Sequence, residues 1–288
     1  MIDLELYRAF HTVAKAGSLT AAAKELFVSQ PALSQSIMNL EHQLGGRLFV
    51  RTPRGMTLTP EGEKMLEYVE RALNMLDNAK NSFEEMKNIM TGSIRIGASD
   101  TLCRHFLLGH IRTFHEMYPE VIIRVTNRTS EDTLSLLRAG QVDVAFVNLP
   151  IGEDEFSVRE CMALHDCFVG GGKYRHIKNL SKKELTSLPF IMMETASNTR
   201  RFFDRHMQSR SIKITPEFEL GSFDLVVEFA RAGLGIGCVT REFVENELES
   251  GELKLLNCGY PLPPRAVGAV TLRDVPPTFA AGRFLSLV

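Results

Sequence analysis

The sequence predicts an α+β chain in three parts: an N-terminal winged helix-turn-helix, a long coiled-coil linker helix, and a two-lobed α/β clamshell. Three observations predict it. Short amphipathic segments closed by a hairpin fill residues 1–60, and a heptad seam then runs without a break toward residue 90. From residue 91 onward, strands alternate with helices in two similar sets.

In the first part, Leu4, Tyr7, Phe10, Val13 and Ala14 recur at helical spacing, and Gly17 ends that helix. Ser18 can cap a second helix, Leu19 to Leu26, whose Ala21-Ala22-Ala23 run allows close packing. After Phe27 and Val28, Ser29 can cap a third helix with Pro31 in its first turn, where a missing N–H costs nothing. That helix would bury Leu33, Ile37, Leu40 and Leu44 and show Gln30, Ser34, Gln35 and Asn39 on its other side. Two short helices joined by a tight turn, the second polar outside, form a helix-turn-helix. Residues 48–58 predict a β-hairpin, a wing whose arginines can reach phosphates or a minor groove.

In the second part, Thr59 and Pro60 open a helix in which Met65, Val69, Ala72, Leu76, Ala79, Phe83, Met86 and Met90 alternate steps of four and three. So strict a seam suits a two-helix coiled coil better than the wider apolar stripe of a helix packed on its own domain.

In the third part, strands are predicted at 93–98, 121–125 and 142–147, with helices at 102–117 and 131–139, giving a βαβαβ unit with a parallel sheet. A second set follows: a strand at 190–193, a helix from about Arg200, a strand at 218–220, a helix at 223–232 and a strand at 234–239. A strand at 266–272 and a short helix after Pro277 close the chain. The expected domains are 1–60, 61–90 and 91–288, with lobe I at about 91–161 and 266–288 and lobe II at about 162–265.

Composition is that of an ordinary globular chain, and its 288 residues suffice for two or three compact units. Net charge is −2, so the whole chain argues neither for nor against nucleic acid. Residues 1–60 are mildly basic, with Arg47, Arg51 and Arg54 close together, and the next stretch is acidic. No secretory signal is visible, and no run approaches the roughly twenty apolar residues that cross a bilayer. A cytoplasmic chain with no membrane partner is expected. The five cysteines (Cys103, Cys161, Cys167, Cys238, Cys258) share no CxxC spacing, so buried free thiols are expected instead of zinc or a disulfide framework. The proximity of Cys161 and Cys167 leaves a redox switch as the lesser alternative.

Residues 1–60 resemble the DNA-binding region of LysR-type transcriptional regulators. The resemblance rests on Gly17-Ser18-Leu19-Thr20-Ala21-Ala22-Ala23, on Leu26 to Ser34, on Leu40-Glu41, and on Leu48-Phe49-Val50-Arg51 with Thr57-Leu58-Thr59-Pro60-Glu61-Gly62. It implies a periplasmic-binding-protein-like, two-lobed α/β effector domain in the C-terminal part. It assigns DNA contact to Gln30, Pro31, Ser34 and Gln35 of the recognition helix, and to Arg51 and Arg54 of the wing. Gln35 stands where many of the family carry Arg. The chemistry agrees: Gln pairs bidentately with adenine, Ser reaches base or phosphate, and Pro31 can press on a thymine methyl. The resemblance further implies a double-stranded operator with dyad symmetry, a dimer through the linker helix, a tetramer of two dimers, and RNA polymerase as a further partner.

For the ligand, the turns at the C-terminal ends of parallel strands are rich in hydroxyls, where helix N-termini aim free N–H groups into a crevice. They contribute Ser99, Asp100, Thr101, Thr129, Ser130, Ser197, Thr199 and Arg200. This set suits a small organic effector, a carboxylate or an amino acid, with Asp100 able to take an amino group. Ser and Thr also cap helices anywhere, so each has a purely local role open to it. Phe203 and Phe223 are candidates for the cleft wall or the core.

No cofactor, metal or catalytic residue is expected. The eight histidines are scattered, no GxSxG is present, and Gly233-Leu234-Gly235-Ile236-Gly237 lacks the GxGxxG spacing of a dinucleotide loop. Two other classes stay in view. A solute-binding protein would share the clamshell but need a secretion signal and no winged helix. An enzyme would need an acid/base, metal or nucleophile constellation in the cleft.

Overall fold

The computed structural model describes residues 2–52, 55–87, 92–152 and 154–288. The chain divides into two compact units, residues 1–84 with 138–141, and residues 85–137 with 142–288.

In the first unit, α1 (Leu4–Ala16), α2 (Leu19–Glu25) and α3 (Gln30–Leu44) are followed by the hairpin β1 (Phe49–Thr52) and β2 (Gly55–Leu58), then by α4 (Pro60–Lys87). The caps fall where the sequence puts them. Ser18 accepts from the Ala21 amide and Ser29 from the Ala32 amide. Glu41 of α3 accepts from the amides of both Leu48 and Phe49, so a half-buried carboxylate fixes where β1 begins. Thr59 caps α4 by accepting from the Gly62 amide at 3.0 Å. Gly62 is required there, since a Cβ would stand 2.2 Å from the Leu48 carbonyl oxygen.

Phe10, Val13, Leu33, Ile37, Leu40 and Phe49 form the core of this unit. The heptad seam needs a correction here. Val69 of α4 is only 5% exposed and belongs to that same core, with Met65, Leu66 and Leu73 packed against it. The first half of the helix therefore serves its own domain, because Leu66 and Leu73 widen the apolar stripe beyond a strict seam. Farther along, Met75, Leu76 and Phe83 are exposed. Met90 and the Met86 side chain lie outside the described residues, as do Pro53 and Arg54 at the wing tip.

The second unit holds two sheets. The strand β3 (Gly92–Ala98) leads into α5 (Asp100–Leu102), a π-helical turn (Cys103–Leu107) and α6 (Leu108–Met117). After β4 (Val121–Asn127) come α7 (Ser130–Arg138), β5 (Val144–Leu149) and β6 (Phe156–Leu164). The chain then enters β7 (Asp166–Gly170), β8 (Asn179–Leu180), α8 (Lys182–Ser187), β9 (Phe190–Met193), α9 (Asn198–Gln208), β10 (Phe218–Leu220) and α10 (Phe223–Arg231). It finishes with β11 (Ile236–Thr240), α11 (Glu245–Glu249), β12 (Lys254–Cys258), β13 (Arg265–Leu272) and α12 (Phe279–Leu285).

Lobe I has the strand order β4-β3-β5-β13-β6, and lobe II the order β10-β9-β11-β7-β12-β8. The expected parallel core is present in each, with β3 between β4 and β5, and β9 between β10 and β11. The sheets are nevertheless mixed, because β13 runs antiparallel to β5 and β6, and β7 antiparallel to β11 and β12. The sequence reading missed β6, β7, β8 and β12. Much of β6 is exposed, and Ser157, Arg159 and Glu160 interrupt its apolar residues, so it lacks the continuous apolar run of a central strand. The chain crosses between lobes at His165, where β6 passes to β7, and again over residues 259–264, where β12 passes to β13.

The lobe I core holds Phe114, Phe146 and Phe284 in edge-to-face contact, with centroids 5.3 and 5.9 Å apart. Each such contact contributes about 0.5–1.5 kcal/mol beyond area burial. Phe168, Phe190 and Phe203 play the same part in lobe II, so Phe203 is core and not cleft wall.

Candidate nucleic-acid interface and ligand cleft

On α3, Leu33, Ile37 and Leu40 point inward, which leaves Gln30, Pro31 and Gln35 exposed and Ser34 half-buried on the opposite side. Gln35 donates to Asn39 at 2.9 Å, and Arg51 of β1 donates to the Ser34 hydroxyl at 3.3 Å. Recognition helix and wing therefore present one continuous polar surface, and Arg51 is held against the helix instead of trailing from the hairpin. Arg54 lies outside the described residues.

In the second unit, seven of the eight expected ligand residues line one cavity of about 270 Å³ between the lobes. Ser99, Asp100, Thr101, Thr129 and Ser130 come from lobe I, Ser197 and Thr199 from lobe II. Several of these groups also serve the backbone. Ser99 accepts from the Leu102 amide, Thr129 from the Asp132 amide, and Ser130 from the Asn148 amide. Ser197 makes no such cap bond, so the N-terminus of α9 meets the cavity without a side-chain cap. Asp100 is oriented by Asn127, which donates to it at 2.5 Å.

Arg200 departs from expectation. It does not line the cavity: it sits in the first turn of α9, on the face buried with Phe203 and Met207. Its guanidinium donates to Asp204 at 2.9 Å and to the Met193 carbonyl at 2.8 Å. Arg128 and Arg265, which the sequence reading did not select, are the arginines that line the cleft. Arg265 grips Asp166 through Nε at 2.6 Å and Nη2 at 2.7 Å, and also donates to Asn148 at 2.7 Å and Thr240 at 3.1 Å. The available signal was an arginine, after Pro263-Pro264, opening an otherwise apolar strand.

The wall behind the cavity carries a second link between the lobes. His105, in the π-helical turn of lobe I, stacks on Phe243 at 5.0 Å and meets Phe223 edge-on at 5.4 Å. Its Nε2 lies 3.1 Å from the Asp224 carboxylate, which Arg104 also reaches at 3.0 Å. Phe223 and Phe243 themselves line the cavity.

Cys103 and Cys167 are held as thiols. Burial, with Asp100 adding to it, pushes Cys103 up to about 11. Burial and then Asp166 push Cys167 up to about 12. Among the described residues no group of His, Cys, Asp and Glu could hold a metal, and no helix is long and apolar enough to cross a membrane.

A winged helix followed by a two-lobed ligand-binding fold defines a ligand-responsive DNA-binding regulator. Residues 4–63 match the bacterial regulatory helix-turn-helix protein, lysR family, and residues 88–288 match the LysR substrate binding domain. The chain belongs to the LysR family of transcriptional regulators, and its relatives are regulators, not enzymes. It is 29% identical over 268 residues to a probable RuBisCO transcriptional regulator of Synechocystis, covering 88% of this chain and 75% of that one. It is 28% identical over 264 residues to the uncharacterized regulator YeiE of Escherichia coli K12, covering 91% of this chain and 88% of that one. Among solved structures, a full-length OxyR variant from Pseudomonas aeruginosa superposes with a TM-score of 0.72 at 18% identity, covering 100% of this chain and 93% of that one. Full-length CbnR, solved with its target DNA, gives 0.69 at 17% identity, covering 100% and 99%.

Proposed function

We propose that the cleft binds a small organic effector, a carboxylate or an amino acid, and that its occupancy alters how the DNA-binding heads of a dimer are placed on an operator with dyad symmetry. The observation that carries this reading is a cavity lined by hydroxyls of both lobes together with Arg265, whose guanidinium is paired with Asp166. The uncapped N-terminus of α9 offers backbone amides to a carboxylate, and Asp100 offers an acceptor to an amine. A ligand touching both lobes favours one lobe arrangement by its differential affinity for it.

In the same reading, the exposed Leu76 and Phe83 of α4 belong to the dimer seam, two dimers associate through effector domains, and RNA polymerase is contacted from the operator in the cytoplasm. Gln30, Pro31, Ser34, Gln35, Arg51 and Arg54 contact the DNA.

A thermal-shift panel of amino acids and small carboxylates on the full chain tests the cleft. A compound that raises the unfolding midpoint of the wild type, but not of Thr101→Val, supports the assignment. A binder insensitive to both Thr101→Val and Asn148→Ala contradicts it. Sedimentation of Leu76→Glu tests the seam, with a monomer expected and an intact dimer contradicting it.

A further inference from the structure

Phe27 occupies the turn between α2 and the recognition helix, and two of its properties are costly together. Its side chain is 96% exposed, the most exposed large hydrophobic among the described residues. Its backbone has φ of 56°, in the left-handed region that disfavours a Cβ. The conformation is fixed: the Phe27 amide donates to the Lys24 carbonyl and the Val28 amide to the Ala23 carbonyl, the paired bonds of a Schellman helix end. At the matching ends of α1 and α3 the left-handed residue is Gly17 and Gly45, with φ of 62° and 70°. Only here does the helix-turn-helix place a large apolar ring at such a position. No packing accounts for it, since the ring is in water.

The position supplies a reason. Ser29, two residues on, caps α3, and Gln30 and Pro31 open the end of the helix that enters a major groove. The turn is thus continuous with the DNA surface of a family of DNA-binding regulators. We propose that Phe27 reads DNA, its ring packing on a thymine methyl group at the edge of the major groove beside Gln30 and Pro31. The C5-methyl of thymine is the apolar feature that groove displays, and an aromatic ring is a suitable partner for it. Strain and exposure in the free protein are then retained for the bound state.

The test uses the full chain and the operator it selects from a random duplex pool. Phe27→Gly relieves the left-handed strain, so its unfolding midpoint stays equal to the wild type or rises. Operator affinity falls about tenfold, the size expected for one lost base contact, while affinity for unrelated duplex is unchanged. Phe27→Asn, which also tolerates this conformation, behaves alike, and Phe27→Leu keeps most of the affinity. Replacing thymine by uracil at one symmetric pair of operator positions reproduces the loss in the wild type and adds nothing in Phe27→Gly. Wild-type operator affinity in both Phe27→Gly and Phe27→Asn overturns the proposal. So does a uracil scan that affects wild type and Phe27→Gly equally.

Discussion

Arg265 and Asp166 form a buried, bidentate ion pair that ties together the two places where the chain crosses between lobes. Asp166 begins the strand after the first crossing, and Arg265 begins the strand after the second. Their side chains are 2% and 1% exposed, and Asn148 of lobe I and Thr240 of lobe II satisfy the remaining donors and acceptors. Removing one partner strands a buried charge. Asp166→Ala therefore lowers the stability of the effector domain by about 3–5 kcal/mol, whereas exchanging both residues for apolar ones recovers much of that loss. Urea unfolding of the two variants checks the difference. Equal destabilisation would mean that the pair contributes more than mutual neutralisation.

On the DNA side, Gln30 and Arg51 should separate by the kind of contact each makes. Gln30→Ala costs about 1–3 kcal/mol at a single base pair and relaxes preference there. Arg51→Ala weakens binding across sequences and lowers the slope of log affinity against log salt by about one. Titrations at several salt concentrations distinguish these outcomes. A sequence-dependent effect of Arg51→Ala would move that residue from phosphate to base contact.

His11 gives the winged helix an acid sensitivity of known sign. Burial holds its pKa below the ordinary 6.5, with the charge of Glu70 opposing in part. The unfolded chain therefore takes up this proton more readily than the folded one. Stability is constant with respect to this group above 6.5 and falls as pH drops below it. His11→Gln should flatten the dependence of the unfolding midpoint between pH 7.5 and 5.5. An unchanged slope would remove His11 from the account.

The Cys103 and Cys167 thiols should be slow to react. With Cys103 pushed to about 11 and Cys167 to about 12, almost none of either is thiolate at pH 7.5. Native-state alkylation read by mass spectrometry should leave both unmodified while unfolded protein labels fully, and peroxide should leave operator affinity unchanged. Rapid labelling of Cys167 in the folded protein would restore the redox reading that its proximity to Cys161 raises.

Legibility followed how local each signal is. The helix-turn-helix could be read because caps, glycines and apolar spacing all act within a few residues, and Ser18, Ser29 and Thr59 hold the roles their types predict. Ser99, Thr101 and Thr129 were visible because strand-to-helix turns concentrate hydroxyls at one edge of a sheet. Arg265 was not, because its role depends on Asp166, 99 positions away. Arg200 misled for a related reason: it stands two residues past a hydroxyl-rich turn, yet helix phase carries its side chain to the buried face. The seam through Val69 showed the limit of periodicity, which marks an apolar face without naming what covers it.

A ligand in the cleft is expected to change how the protein sits on DNA. The most direct measurement is a nuclease footprint of the full chain on its selected operator, at fixed salt, with and without a compound that raises the unfolding midpoint through the cleft. A protected dyad whose extent changes with the compound is expected, with no such change in a Thr101→Val variant that still binds DNA. A footprint identical with and without a compound that occupies the cleft would contradict it.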